Sequence, residues 1–186
     1  MAVELKRYRF TREDYHRMAQ TGILRPGVRV ELIDGEIIEM NPIGRRHKAS
    51  VDRLTRRLDR GVGNAAIVRV QNSIVLGDYG EPEPDLTLLR FRDDFYANSD
   101  ETADDILLVV EVADTSESYD RWTKAPRYAA HGIPELWIVD LNREQVTRYV
   151  DPTPDGYTMT RVFHRGESLS PLAFPHLMIA VDEILP

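Results

Sequence analysis

The sequence predicts a mixed α/β fold, of the α/β or α+β class, in which helices flank a central sheet. Short aliphatic runs typical of strands alternate with segments whose apolar residues recur at helical spacing. The chain has 186 residues, and 42% of them are hydrophobic, which is enough for a sizeable core. Because no linker or internal repeat divides the chain, we expect a single domain over residues 1–186.

The predicted elements can be placed along the chain from caps, turns and periodicity. A first helix begins at Thr11, because Thr11 and Asp14 have the spacing of a capping box. A hairpin that turns at Asp34 and Gly35 follows. The remaining elements are a helix at about 45–60, strands at 66–76, 85–90 and 105–112, a helix at about 118–130 ended by Gly132, a strand at 135–141, and strands near 145–150, 157–163 and the C-terminus. The central order is therefore α-β-β-β-α-β, which predicts a mixed sheet.

The composition excludes several classes of protein. The chain contains no cysteine, so disulfides, thiolate metal sites and cysteine nucleophiles are excluded. No apolar run approaches the roughly 18 residues that cross a bilayer, and no signal peptide is evident, so we expect a cytoplasmic protein with no membrane contact. The net charge of −7 argues against coating nucleic acid by bulk electrostatics. Residues 45–60 nevertheless hold seven Lys or Arg against two Asp.

Two carboxylates stand out at strand ends. Glu111 interrupts a strand whose other residues from 106 to 112 are aliphatic, and an ionised group there is costly unless it is paired or bound to metal. Asp85 opens the preceding strand directly after Pro84. If these two strands pair antiparallel, the carboxylates converge, and a pair of carboxylates suits Mg²⁺, which keeps most of its waters. The alternatives are a structural ion pair for Glu111 and ordinary turn chemistry for Asp85.

The helix that follows Glu111 provides a candidate cation. At 100° per residue, Asp120 and Lys124 fall on one stripe, with Trp122 and Ala125 on the opposite side that should pack on the sheet. Lys124 could then stabilise charge at a phosphate or at an attacking hydroxide. The alternative is a solvated face in which Asp120 and Lys124 pair at i, i+4.

Further candidates lie in the first half of the chain. Arg45, Arg46, His47 and Lys48 form a basic segment that could contact a phosphate backbone, although a histidine in such a segment is more often a surface or helix-cap residue. Glu36 follows the hairpin turn and could point into the same cleft, or face solvent. No Gly-rich phosphate loop, serine nucleophile elbow or HExxH zinc motif is present.

Taken together, these motifs resemble a known family. Asp85 in "EPD", Glu111 in "VVEVADTSESYD" and Lys124 in "DRWTKAPRYAAHGIPELWIVD" are similar in order and spacing to the PD-(D/E)XK nuclease superfamily. With "VELIDGEIIEMNPIGRRHKASVDRL" included, about residues 10–185 more closely resemble the Uma-two family of bacterial restriction-endonuclease-like proteins. The resemblance implies a restriction-endonuclease-like core that uses Mg²⁺, with Mn²⁺ as a substitute, held by Asp85 and Glu111. The lysine that the superfamily pattern expects two residues after Glu111 is Ala113 here, so Lys124 would supply the ammonium from the helix.

The leading hypothesis is a divalent-metal-dependent endonuclease that hydrolyses DNA phosphodiester bonds. A homodimer would supply the two active sites needed to cut both strands. The rival hypothesis is a non-catalytic binding or assembly module that retains the nuclease fold, since fold does not guarantee function. Hydrolysis of another phosphate ester is a third alternative.

Overall fold

A computed structural model describes residues 7–114 and 116–186 and confirms the mixed α/β fold. The helices are α1 (Arg12–Gln20), α2 (Arg45–Val62), α3 (Glu117–Tyr119), α4 (Ala125–Ala130) and α5 (Val181–Ile184), with a π-helical turn (Asp120–Lys124) between α3 and α4. The strands are β1 (Val30–Ile33), β2 (Glu36–Glu39), β3 (Ala66–Val70), β4 (Leu86–Arg90), β5 (Ile106–Ala113), β6 (Glu135–Asp140), β7 (Gln145–Thr153), β8 (Gly156–His164), β9 (Ser168–Leu169) and β10 (Ile179–Ala180).

The central sheet has six strands in the order β3-β4-β5-β6-β7-β8. Strand β5 lies in its middle, antiparallel to β4 and parallel to β6. This placement follows from the aliphatic residues on both faces of β5, which are typical of a strand covered on both sides. The parallel pairing of β5 and β6 needs a crossover, and α3, the π turn and α4 provide it. The mixed sheet is therefore as predicted.

Each face of the sheet packs against a different helix. On one face, Leu54 and Leu58 of α2 belong to an apolar cluster with Leu88 and Val110 of the sheet. On the other face, Tyr128 of α4 belongs to a second apolar cluster. The buried residues of α2 recur at three- and four-residue spacing, as expected for an amphipathic helix that covers a sheet. The two helices thus hold the sheet between two apolar layers.

The N-terminal helix and the hairpin form where the sequence predicts them. Thr11 caps α1 in a reciprocal capping box with Asp14. The hairpin turns at Asp34 and Gly35, which have φ of +51° and +79°, the conformation that favours Asp-Gly in a two-residue turn. The backbone of Leu32 exchanges two hydrogen bonds with Glu81, at 2.7 and 3.3 Å. This bridge holds the hairpin beside the segment that leads into β4.

Some predicted boundaries are wrong. Strand β3 ends at Val70 rather than at residue 76, because Gln71 adopts a left-handed conformation with φ of +51° and breaks the ladder. At the C-terminus the expected strand is only β10, and the chain continues into α5. Within the part of the chain that the structure describes, none of the helices combines the length and the apolar character needed to span a membrane.

Candidate active site

The pairing of β4 with β5 brings Asp85 beside Glu111. Leu86 pairs with Val110 in an antiparallel register, so the residue before β4 lies next to the residue that follows Val110. The Asp85 side chain also accepts a hydrogen bond from the backbone N–H of Val112 at 2.8 Å. The antiparallel pairing is therefore as predicted, and its register places Asp85 next to Glu111.

Asp85 makes two further polar contacts. Its Oδ2 lies 2.9 Å from His47 Nε2, and its Oδ1 accepts a long hydrogen bond of 3.4 Å from Gln71. His47 comes from the first turn of α2, so this contact joins the helix to the start of β4. The other ring nitrogen of His47 is buried and has no hydrogen-bond partner among the described residues. Oδ1 is therefore the less occupied oxygen of Asp85.

Glu111 is almost fully buried, with 3% of its surface exposed. Its Oε1 accepts hydrogen bonds from Tyr128 Oη at 2.6 Å and from Lys124 Nζ at 3.2 Å. Burial raises the pKa of Glu111 well above its ordinary value, and Lys124 offsets this only in part while Asp120 and Asp85 add to it. Its second oxygen, Oε2, accepts no hydrogen bond from the described residues. The ionised form of Glu111 is therefore disfavoured by the protein alone, and a cation bound beside it would favour that form.

Lys124 is the buried cation of the site, with 4% of its surface exposed. Its Nζ lies 3.0 Å from Glu31 Oε2 and 3.2 Å from Glu111 Oε1. Burial alone would lower the pKa of Lys124, but the carboxylates of Glu111, Glu31 and Asp120 outweigh it and raise the pKa above its ordinary value. The ammonium therefore stays charged at neutral pH, so Lys124 can donate hydrogen bonds but cannot act as a base.

The π-helical turn is the local feature that delivers Lys124, and it corrects the prediction of a continuous α-helix. The backbone N–H of Ala125 bonds to the carbonyl of Asp120, so this turn contains one more residue than an α-helical turn. Asp120 and Lys124 both enter the interior, each 4% exposed, instead of forming a solvated stripe. Trp122 was expected to pack on the sheet, but it is 72% exposed, because Asp120 and Lys124 occupy the buried side of the turn and Trp122 lies opposite them.

Asp120 adds a further carboxylate to this interior. It accepts a hydrogen bond from Ser116 Oγ at 2.7 Å. Burial raises the pKa of Asp120 to about 6, despite the opposing effects of Lys124 and of the Ser116 hydrogen bond. A carboxyl group with such a pKa changes its charge close to neutral pH.

Glu31 is a site residue that the sequence analysis missed. It lies on β1, is 2% exposed, and accepts hydrogen bonds from Tyr119 Oη and from the backbone N–H of Glu83, both at 3.2 Å, in addition to its ion pair with Lys124. The available signal was an acid inside the aliphatic run "VELI", which is the same signal that singled out Glu111.

The predicted Glu36 lies elsewhere. It pairs with Ile33 at the turn end of the hairpin, whereas Glu31 pairs with Ile38 nearer to the sheet. The Glu36 side chain is half exposed and forms an ion pair with Arg7 at 2.9 Å. It does not line the cavity described below, because two residues of strand separate it from Glu31.

The basic segment at the start of α2 divides into different environments. His47 reaches the site through Asp85, while Arg45 and Lys48 are exposed and do not line the cavity. Arg46 bonds to the carbonyl of Leu141 and lies near other polar groups of the β6–β7 turn. Of the four predicted contacts, His47 alone lies within the cavity.

These residues surround a cavity of about 510 Å³. Its walls are the hairpin with its following loop, the first turn of α2, the entry to β4, the end of β5 and the helical segment of the crossover. Asp85, Glu111, Lys124 and Glu31 all line it. Four separate elements of the fold thus direct charged groups into one space.

The number and arrangement of the carboxyl groups decide which kind of cation the cavity fits. Within residues 7–114 and 116–186, no group of three or more His, Cys, Asp or Glu side chains is arranged to hold a metal ion. Asp85 and Glu111 nevertheless fit an ion that needs few protein ligands. Each carboxyl group has one oxygen that accepts a single long hydrogen bond or none, and that oxygen is free to bind a metal. The carboxyl groups around Glu111 outnumber the cations, which also favours a bound cation. The residues present therefore fit a hard, largely hydrated cation.

Comparison with known proteins agrees with this fold. The family model Uma2, described as "Putative restriction endonuclease", matches residues 12–182. The structure is similar to that of "a putative nuclease belonging to DUF820" from Anabaena variabilis ATCC 29413, with a TM-score of 0.76, 19% sequence identity, and coverage of 94% of this chain and 97% of that chain. At this identity the likeness shows the fold alone, and no curated protein matches the chain. Because the family model spans most of the sequence, the chain belongs to the Uma2 family of restriction-endonuclease-like proteins.

Proposed function

We propose that the protein is a divalent-metal-dependent endonuclease that hydrolyses DNA phosphodiester bonds. The observation that carries this proposal is the convergence of Asp85, Glu111 and Lys124 in one cavity from three separate elements. Membership of a family described as restriction endonucleases supports the choice of phosphodiester chemistry. Asp85 and Glu111 would hold Mg²⁺ or Mn²⁺ through their oxygens. The bound cation would lower the pKa of a coordinated water and polarise the phosphate.

The protein's own groups have distinct roles in this proposal. Lys124 carries a permanent positive charge beside Glu111, where it stabilises negative charge that develops at phosphorus. Glu31 and Tyr119 fix the position of that ammonium, because Glu31 accepts hydrogen bonds from both. Tyr128 fixes Glu111 through its 2.6 Å hydrogen bond. Preorganised charge of this kind needs no rearrangement during the reaction.

The exposed face of α2 supplies the contact with the phosphate backbone. Arg45, Lys48, Arg56 and Arg60 lie on the side of α2 opposite its buried residues, and none of them forms an ion pair with a described residue. Such cations position a nucleic acid without reading its sequence. In contrast, Arg53 bonds to the carbonyl of Leu185 and is occupied within the fold.

The rival function is a binding or assembly module that retains the fold without catalysis. One observation favours it: Lys124 is already paired with two carboxylates and is not presented to solvent. An assembly module would be indifferent to the loss of the Asp85 carboxylate, whereas the nuclease would not, which makes the two functions separable by one substitution.

The test is nicking of supercoiled plasmid in the presence of Mg²⁺, Mn²⁺ or a chelator. The wild type should nick the plasmid with either metal and not with the chelator, and Asp85→Asn should be inactive. Asp155→Asn is the matched control, because it removes the same charge from the exposed β7–β8 turn. Absence of nicking by the folded wild type with both metals, or equal nicking by Asp85→Asn, would contradict the proposal.

A further inference from the structure

The reacting groups lie deep inside the protein. Glu111, Lys124, Asp120 and Glu31 are each between 2% and 4% exposed, and solvent reaches them through the cavity of about 510 Å³. A cavity of this volume holds a ligand of small-molecule size. A phosphodiester that contacts Lys124 must therefore enter the cavity rather than rest across its mouth.

Apolar side chains form one part of the cavity lining. Ile38 and Met40, on the second hairpin strand and just after its end, line the cavity together with Pro42 and Ile43 of the following loop. The Leu32–Glu81 backbone bridge holds the hairpin in this position. Apolar side chains in this part of the lining suit the flat faces of an unpaired base and a sugar.

The excess of carboxyl groups in the cavity disfavours a ligand with a high density of negative charge. Among the described residues, seven carboxyl side chains line it against two cationic ones, Arg29 and Lys124. Both cations are already paired, Arg29 with Glu83 and Lys124 with Glu31 and Glu111. A duplex carries about one phosphate charge per 1.7 Å of its axis, twice the density of one strand, so these carboxyl groups repel a duplex more strongly than a single strand.

Building on the proposed function, we infer that the cavity accepts one unpaired nucleotide of a single DNA strand and excludes a continuous duplex. Enzymes that act on a base inside a pocket take a nucleotide that has left its stack. A nucleotide that enters this cavity must leave its stack in the same way, and the cost of unpairing is least where the strand is already single. Flanking phosphates of the strand leave the cavity past Gly44 and reach Arg45 and Lys48 on the exposed face of α2. The substrate class is thus single-stranded or locally unpaired DNA.

The test measures binding separately from cleavage. Fluorescence anisotropy compares a labelled oligonucleotide as a single strand and in its duplex, with Ca²⁺ in place of Mg²⁺ because both take oxygen ligands. The single strand should bind at least about tenfold more tightly than the duplex. Met40→Asp, which replaces an apolar lining side chain by a further carboxylate, should weaken single-strand binding about tenfold. Met159→Asp is the matched control on exposed β8 and should leave binding unchanged.

The outcomes separate this inference from the proposed function. Equal affinity for duplex and single strand, or single-strand binding that Met40→Asp does not weaken in a correctly folded variant, would overturn the inference. Single-strand preference that depends on Met40, combined with no hydrolysis in Mg²⁺ or Mn²⁺, would support the inference and refute the nuclease. If the protein cleaves DNA, it should nick a supercoiled plasmid faster than the same plasmid after linearisation, because negative supercoiling favours strand separation.

Discussion

Replacement of Asp120 by Asn should stabilise the protein at alkaline pH and leave its stability unchanged at acidic pH. Asp120 is 4% exposed, and its carboxyl group has a pKa raised from 3.8 to about 6. The folded state therefore disfavours the ionised form of this side chain. Asn removes the charge but keeps an oxygen that can accept the hydrogen bond from Ser116.

The sign and size of the effect follow from proton binding. Because the pKa of Asp120 is higher in the folded state, the folded protein binds more protons than the unfolded chain between pH 3.8 and about 6. Its contribution to stability is therefore lost as the pH rises through that window. Each pKa unit corresponds to about 1.4 kcal/mol, so the complete loss above pH 6 is about 3 kcal/mol. Asp120→Asn should recover about that amount at pH 8 and almost nothing at pH 4.

Urea denaturation at pH 4 and pH 8, with a chelator present, measures the free energy of unfolding of both proteins. The chelator is needed because a cation bound to the folded wild type would stabilise it by mass action. Asp155→Asn, in the exposed β7–β8 turn, should change stability little at either pH. If Asp120→Asn destabilised the protein at pH 8, or changed its stability equally at both pH values, the interpretation of Asp120 as a buried, disfavoured charge would be wrong.

Two further substitutions test the framework around the site. Tyr128→Phe removes the hydroxyl that donates to Glu111 at 2.6 Å, and urea denaturation should show a loss of about 1–3 kcal/mol, because a buried carboxylate loses a donor; an unchanged stability would contradict this. Gly35→Ala places a Cβ 2.7 Å from Arg9 Cβ at a φ of +79°, whereas Gly166→Ala has a similar φ of +83° and open space. Thermal unfolding should show a larger loss for Gly35→Ala than the roughly 1 kcal/mol of Gly166→Ala, and equal losses would exclude the clash.

The fold and the meeting of Asp85 with Glu111 were predictable because they depend on local signals. The Thr11 cap, the Asp34–Gly35 turn and the aliphatic strands each specify their own segment. Once two consecutive strands are taken as antiparallel, the start of the first must lie beside the end of the second. Pairing geometry alone then brings the two carboxylates together.

Other parts of the site were not predictable, because they depend on departures from regular secondary structure and on long-range contacts. The expected stripe assumed 100° per residue and placed Ala125 opposite Asp120 and Lys124, whereas the π turn contains one more residue and all three are buried. Glu31 and Glu36 lie on the same hairpin, and the distance of each from the sheet decides which one enters the cavity. The docking of the hairpin, through Leu32 and Glu81, is a long-range contact that leaves no periodic signal in the sequence.

The balance of charge separates a structural ion pair from a functional site at Glu111. A buried ion pair can often be replaced by well-packed apolar residues without loss of stability, so stability alone gives little reason to keep one. Here Lys124 is the buried ammonium shared by Glu31 and Glu111. Asp120 raises the pKa of Glu111, and burial raises the pKa of Asp120. An arrangement with more buried carboxylates than cations is less stable than a balanced pair, and such imbalance is typical of sites that bind a cation or react. The unequal charge therefore favours a functional origin for the cluster over a structural one.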